Sequence, residues 1–152
     1  MTEKELLELV LQENQDAIEM MGELAKVSQV WDDLIDRDKE VTDNAINAVF
    51  ISLLSTLPRN PFYASHLGEL QPLIEGAIID WLTANDLEQS GDAGPMSWIL
   101  RDNLSSIAIG AAKIIGGMPW AIEISPIVRK FVHDESIRGY QDGIVRRKHA
   151  KS

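Results

Sequence analysis

The sequence predicts an all-α fold, a single-domain irregular helical bundle of about six helices. Three observations carry that prediction. Apolar residues recur at three- and four-residue steps along most of the chain, no stretch alternates apolar and polar residues with the β-branched density of a strand, and the periodic runs are bounded by capping residues, prolines and glycines. A length of 152 residues suits one core and leaves little for a second, because domains need roughly 100 to 150 residues. Residues 1–152 are read as one domain ending in a short basic tail, 146–152, with consecutive helices packed roughly antiparallel.

Each element has a local cause. Thr2 and Glu5 form a capping-box pattern, after which Leu6, Val10, Ala17, Met20, Leu24, Val27, Trp31 and Leu34 continue as one long helical stripe that stops near Arg37-Asp38-Lys39-Glu40. Thr42 or Asp43 caps a second helix, in which Ile46, Val49, Phe50, Leu53, Leu54 and Leu57 make the clearest amphipathic pattern of the chain, and Pro58 is expected to end it. Asn60-Pro61, a cap followed by proline, opens a short helical piece through Phe62 to Leu67.

A third main helix follows Gln71-Pro72, with Leu73, Ile74, Ala77, Ile78, Trp81 and Leu82 inward, and Ser90-Gly91-Asp92-Ala93-Gly94-Pro95 is the strongest break. Trp98 to Ile115 then form a fourth helix that Gly116-Gly117 stops. Ser125-Pro126 starts another, and the apolar phase slips near His133-Asp134-Glu135, before a last helix through Ile137, Tyr140 and Ile144. No internal repeat is visible.

Composition narrows function. Hydrophobic residues at 45% and charged residues at 25% describe a folded chain and exclude collagen-like or low-complexity ones. The absence of cysteine removes disulfides, thiolate metal sites and cysteine nucleophiles, and points to a reducing cytosol. The first residues carry no signal-peptide pattern, and no uninterrupted apolar run reaches the roughly 18 residues of a spanning helix, so no membrane partner is expected. The net charge of −10 is uneven, because all 24 acids lie in residues 1–145 beside ten cations. Nucleic acid is an unfavourable partner for such a body, except through the basic tail of Arg146, Arg147, Lys148 and Lys151. That tail is read first as a helix end whose positive charge offsets the helix dipole.

The candidate chemistry centres on Trp31-Asp32-Asp33-Leu34-Ile35-Asp36. On a helix, Asp32, Asp33 and Asp36 are three and four residues apart, a spacing that can hold hydrated Mg²⁺. With Trp31 at zero on the helical wheel, Leu34 and Ile35 lie about 60° and 40° to either side, whereas Asp32, Asp36 and Asp33 lie at about 100°, 140° and 200°. The wheel therefore points the indole inward and the three carboxylates outward, a solvated acidic face. Glu13 is the opposite case. It stands five full turns before Trp31, in the middle of the apolar stripe, and so needs a buried partner, an interface or a break in the helix around Gln12 to Gln15.

The string Asp32-Asp33-Leu34-Ile35-Asp36 resembles the aspartate-rich motif of class I isoprenoid synthases, all-α enzymes whose Mg²⁺ ions bind a substrate diphosphate. The likeness covers five residues. The second metal motif of those enzymes begins as Asn103-Leu104-Ser105-Ser106 does, with Gly110 where its closing glutamate stands. All-α nucleotide pyrophosphohydrolases offer a second comparison: Glu5-Leu6-Leu7-Glu8 fits one of their two acidic pairs, but Asp33-Leu34-Ile35-Asp36 departs from the other and falls on the same expected helix.

Other groups read more plainly. His133-Asp134-Glu135 are neighbours that point apart on a helix, with Asp134 as an N-cap, and His66 and His149 have no companion at metal-ligand spacing. Trp31, Trp81, Trp98 and Trp120 come one per major segment and are read as core anchors, with Trp31 and Trp120, together with Glu13, the candidates for an interface.

The run Gln29 to Asp38, followed by Asn44-Ala45-Ile46 and by Leu57-Pro58-Arg59-Asn60-Pro61-Phe62-Tyr63, resembles a small family of uncharacterised bacteriophage-encoded proteins, as do Gly116-Gly117 and His133-Asp134-Glu135. That resemblance implies phage propagation inside a bacterial host, in the host cytoplasm or on the virion. The expected function is non-enzymatic: binding a protein partner or itself in particle assembly or in control of host machinery, without a cofactor. The rival is a Mg²⁺-dependent enzyme acting on a diphosphate or nucleotide through Asp32, Asp33 and Asp36.

Overall fold

Two side-chain caps divide the N-terminal third. Thr2 Oγ1 accepts the Glu5 N–H at 3.1 Å and Asn14 Oδ1 accepts the Ala17 N–H at 3.0 Å, opening α1 (Glu3–Val10) and α2 (Gln15–Asp36). The computed structural model describes residues 1–91, 94–100, 102–133 and 142–148, with the side chains of all but Trp98 and Asn103. The single long helix expected from the stripe is two helices. Gln12 and Glu13 take left-handed φ values of 50° and 58°, which redirects the chain and leaves Glu13 exposed instead of at the centre of an apolar face. Arg37, also left-handed, ends α2 where the run of charges was expected to.

Thr42 Oγ1 accepts the Ala45 N–H at 3.1 Å and starts α3 (Asp43–Ile51). Pro58 does not end this helix. The chain widens into a π-helical turn over Ser52–Thr56 and continues into α4 (Leu57–Arg59); the wider turn loosens the backbone where the ring lacks an N–H and crowds the carbonyl four residues back. Asn60 Oδ1 then accepts the Tyr63 N–H at 2.9 Å and opens α5 (Pro61–Ser65), while the Asn60 amide donates to the Asp16 carbonyl oxygen at 2.8 Å and ties this corner to α2.

The third main helix, α6 (Leu67–Gln89), starts before Pro72 and carries it in its second turn. It stops at the expected break, where Gly91 has φ 84°, and α7 (Pro95–Leu100) follows. Helical turns next run over α8 (Asn103–Val132), broken at Gly117, whose φ of 85° and ψ of 174° belong to no helix. The expected stop is therefore a kink. The helical turns resume directly after it, so Pro126 lies within the second half and does not start a new element. Residues 142–148 are helical; Asp134 as an N-cap, Ile137 and Tyr140 lie outside the described residues.

The described residues contain helices and no strand, as an all-α fold requires. The core lies where α1, α2, α6 and α8 meet: Leu6, Val10, Leu11, Ala17, Met20, Leu70, Ala111 and Ile124 are buried there. Gly110 lets α8 approach α6, since a Cβ at that position would collide with the Leu73 side chain. Although polar residues interrupt it, Leu104–Val132 is apolar and long enough, by composition, to cross a membrane. The turn at Gly117 leaves two straight pieces, each shorter than the about 20 residues that span a bilayer.

Candidate functional site

Half of the clearest amphipathic pattern in the sequence faces water: Phe50, Leu53 and Leu54 are exposed, whereas Ile46 and Val49 are half-buried and Leu57 is buried. No residue of α3 is buried, and along α3 and the wide turn Phe50 is 58%, Ile51 59% and Leu54 77% exposed. Ser52, the buried member of this stretch, donates its hydroxyl to Glu23 Oε2 of α2. This bond, with a smaller contribution from Lys26, holds the Glu23 carboxyl below the usual carboxylate range in spite of burial, which works the other way. This part-buried polar pair ties the wide turn to α2, with Ile51, Leu53 and Leu54 beside it left exposed.

Beside Leu53 the face opens into an apolar cavity of about 200 Å³ between α2, the wide turn, α6 and α8, lined among others by Leu24, Trp31, Ile78 and Trp81. Trp31 and Trp81 tilt against each other at 52° with ring centroids 4.5 Å apart. Trp81 is buried, whereas Trp31, expected to point inward, is 38% exposed. Leu34 and Ile35 on α2 and Ile79 and Leu82 on α6 are also exposed. The exposed apolar side chains around this cavity make this side of the molecule the candidate interaction surface.

The three aspartates do not look outward together. Asp36 is 7% exposed, with Oδ2 3.4 Å from Arg147 Nε, because the helix at 142–148 covers the end of α2. A wheel drawn for one helix cannot register that cover. Asp36 shares a small cavity of about 40 Å³ with Asn85, Glu88, Arg147 and Lys148. Asp32 and Asp33 are half-buried, and Asp33 Oδ1 accepts the Gln29 side-chain amide at 3.0 Å. Among the described residues no three His, Cys, Asp or Glu side chains come together as a metal site, so the geometry does not assemble Asp32, Asp33 and Asp36 into one.

Sequence reasoning missed a buried polar cluster at Asp102. This residue occupies the N-cap position of α8 but makes no capping bond. Its Oδ2 instead accepts Arg129 Nη1 at 2.6 Å, with His133 Nε2 at 2.7 Å, and Arg129 Nη2 donates to Ser106 Oγ at 3.1 Å. Asp102 Oδ1 and Ser105 Oγ are buried with no hydrogen-bond partner. Both residues line a largely apolar cavity of about 260 Å³ with Leu6, Met21 and Phe131. The visible signal was the pairing of a cap-like Asp102 with His133, but 31 positions separate them, and only the closeness of the two ends of α8 to each other's neighbours brings them into reach.

The remaining candidates have ordinary roles. Glu13 is exposed at the kink. Trp120 donates its indole N–H to the Val10 carbonyl oxygen at 2.9 Å, so its polar edge is used inside the fold. Of the basic tail, Arg146 and Lys148 are exposed, Arg147 serves Asp36, and Lys151 lies outside the described residues.

Fold and surface together define an acidic all-α domain with an apolar face open to solvent. No family model, curated protein or solved structure matches the chain.

Proposed function

We propose that this chain works by binding another protein, without catalysing a reaction, through the apolar face of α2, the α3 turn and α6. The observation that carries the reading is the outward placement of Phe50, Ile51 and Leu54, three of the most apolar side chains on the best amphipathic segment. Leaving such side chains wet forgoes about 1.5–3 kcal/mol each, a cost that partner binding recovers. Asp36 is already met by Arg147, which favours this reading over a metal-dependent enzyme built on the aspartates. The resemblance of the 29–63 run to phage-encoded proteins sets this binding in phage propagation in the bacterial cytoplasm or on the virion.

The test is site-specific cross-linking in cells that carry the chain in its own setting. A photoreactive side chain at position 54 is expected to yield one discrete adduct, with a partner or a second copy, and one at exposed Lys4 none. A chain that stays monomeric by light scattering at every concentration and gives no adduct from position 54 overturns the reading.

A further inference from the structure

We infer that the occupant of this face is a cationic amphipathic helix, an inference that rests on the protein-binding reading and names its partner chemistry. Charge is the first support. The three wall segments, α2, Asp43–Thr56 and α6, carry twelve acids and one lysine, Lys26, while the rest of the chain carries twelve acids and thirteen cations. The net negative charge of the protein thus falls on these segments, although two of their acids, Asp36 and Glu88, are buried beside Arg147 and Lys148. Lys26, the one cation of these segments, is itself held by Glu23 at 3.1 Å.

Shape is the second support. The cavity beside Leu53, about 200 Å³ and lined by Trp31 and Trp81, is somewhat larger than the roughly 150 Å³ that admits a benzene ring. One large apolar side chain fits it as an anchor. On the helical wheel of α6 the exposed Glu75 and Asp80 lie about 110° to either side of the lining residues Ile74, Ala77, Ile78 and Trp81, flanking the position of an incoming helix. An apolar anchor ringed by lysines or arginines at helical spacing is what such a groove selects. The same carboxylates repel an anionic bilayer, and two copies of one acidic face repel each other.

The experiment uses the full chain and two synthetic helical peptides of about 16 residues, one of leucine, tryptophan and lysine, the other with glutamate in place of lysine. Binding is read by calorimetry and by tryptophan emission. The lysine peptide is expected to bind at least tenfold more tightly than the glutamate peptide, with an affinity that falls as salt rises. Leu53→Ser is expected to weaken it about tenfold, and Glu75→Gln with Asp80→Asn, which leaves the apolar wall intact, to weaken it severalfold and flatten the salt dependence. Ile122→Ser, on exposed α8, is the control and should change nothing. Equal binding of both peptides, equal losses at Leu53 and Ile122, or Leu53-dependent binding to anionic vesicles instead of peptide each overturns the inference. If neither peptide binds but position 54 still cross-links, the protein-binding reading stands and the cationic partner is wrong; if light scattering then shows a dimer that Leu54→Ser dissolves, the occupant is a second copy. If cross-linking also fails, both fall.

Discussion

Trp120 closes the C-terminal end of α1 from 110 positions away. Its indole N–H donates to the carbonyl oxygen of Val10 at 2.9 Å, one of the carbonyls a helix end leaves without an intrahelical donor. Behind the ring, a Cβ on Gly116 would stand 2.6 Å from Trp120 Cδ1 and 2.9 Å from the Gln12 side-chain amide. The kink between α1 and α2, the indole and the glycine before the turn in α8 therefore depend on one another.

Trp120→Phe keeps one aromatic ring but removes the N–H donor and the five-membered ring, so it should cost at least about 1–2 kcal/mol, the penalty for the Val10 carbonyl left unpaired plus the lost packing. Gly116→Ala should cost a comparable amount by displacing the indole. Denaturant unfolding measures both. A double variant that loses much less than the sum of the two would show that they act on one contact, whereas full additivity would separate the glycine from the tryptophan.

Asp102 and Ser105 lead to opposite expectations although both hold an unpartnered buried oxygen. Asp102→Ala removes the carboxylate that Arg129 and His133 share and should destabilise the fold by about 2–3 kcal/mol, the range for hydrogen bonds to a charged group. Ser105→Ala removes a hydroxyl that makes no bond and should be neutral or stabilising. A large loss on Ser105→Ala would mean that the hydroxyl has a role the cavity alone does not reveal.

The Ser52 hydroxyl lowers the Glu23 carboxyl below its ordinary value in the folded chain. A group whose native value is depressed contributes stability that is present above the unfolded carboxylate range and is lost as pH falls through the native value. Ser52→Ala should therefore be less stable than the parent at neutral pH, with a difference that shrinks on acidification below about pH 4.3, the ordinary glutamate value. Thermal unfolding of both proteins over that range is the measurement. A difference that does not change with pH would assign the effect of Ser52 to packing alone.

Millimolar Mg²⁺ or Mn²⁺ should leave the melting temperature unchanged, since a ligand stabilises only a native state that holds it and the carboxylate nearest to burial, Asp36, is already paired with Arg147. A clear rise in melting temperature that disappears in Asp33→Asn would restore the metal-dependent enzyme.

Local rules were enough for much of this molecule. The all-α class and the caps at Thr2, Thr42 and Asn60 were readable because each depends on spacing or on a side chain bonding its own turn. So were the stop at Arg37, the break after Gln89 and the turn at Gly117. Prolines misled: Pro58, Pro72 and Pro126 all lie within helical runs, where tertiary packing and a π turn outweighed the local penalty.

Which face of each helix is covered was decided only in three dimensions. Periodicity shows that Phe50, Leu53 and Leu54 share a stripe, but it cannot say whether another element arrives to cover them, and in the fold they stay exposed beside the bond from Ser52 to Glu23. The wheel likewise sent Asp36 into water, and the helix at 142–148, more than a hundred residues later, put Arg147 over it. Burial is a property of neighbours distant in the chain; a single helix carries the pattern, and the tertiary structure chooses what it faces.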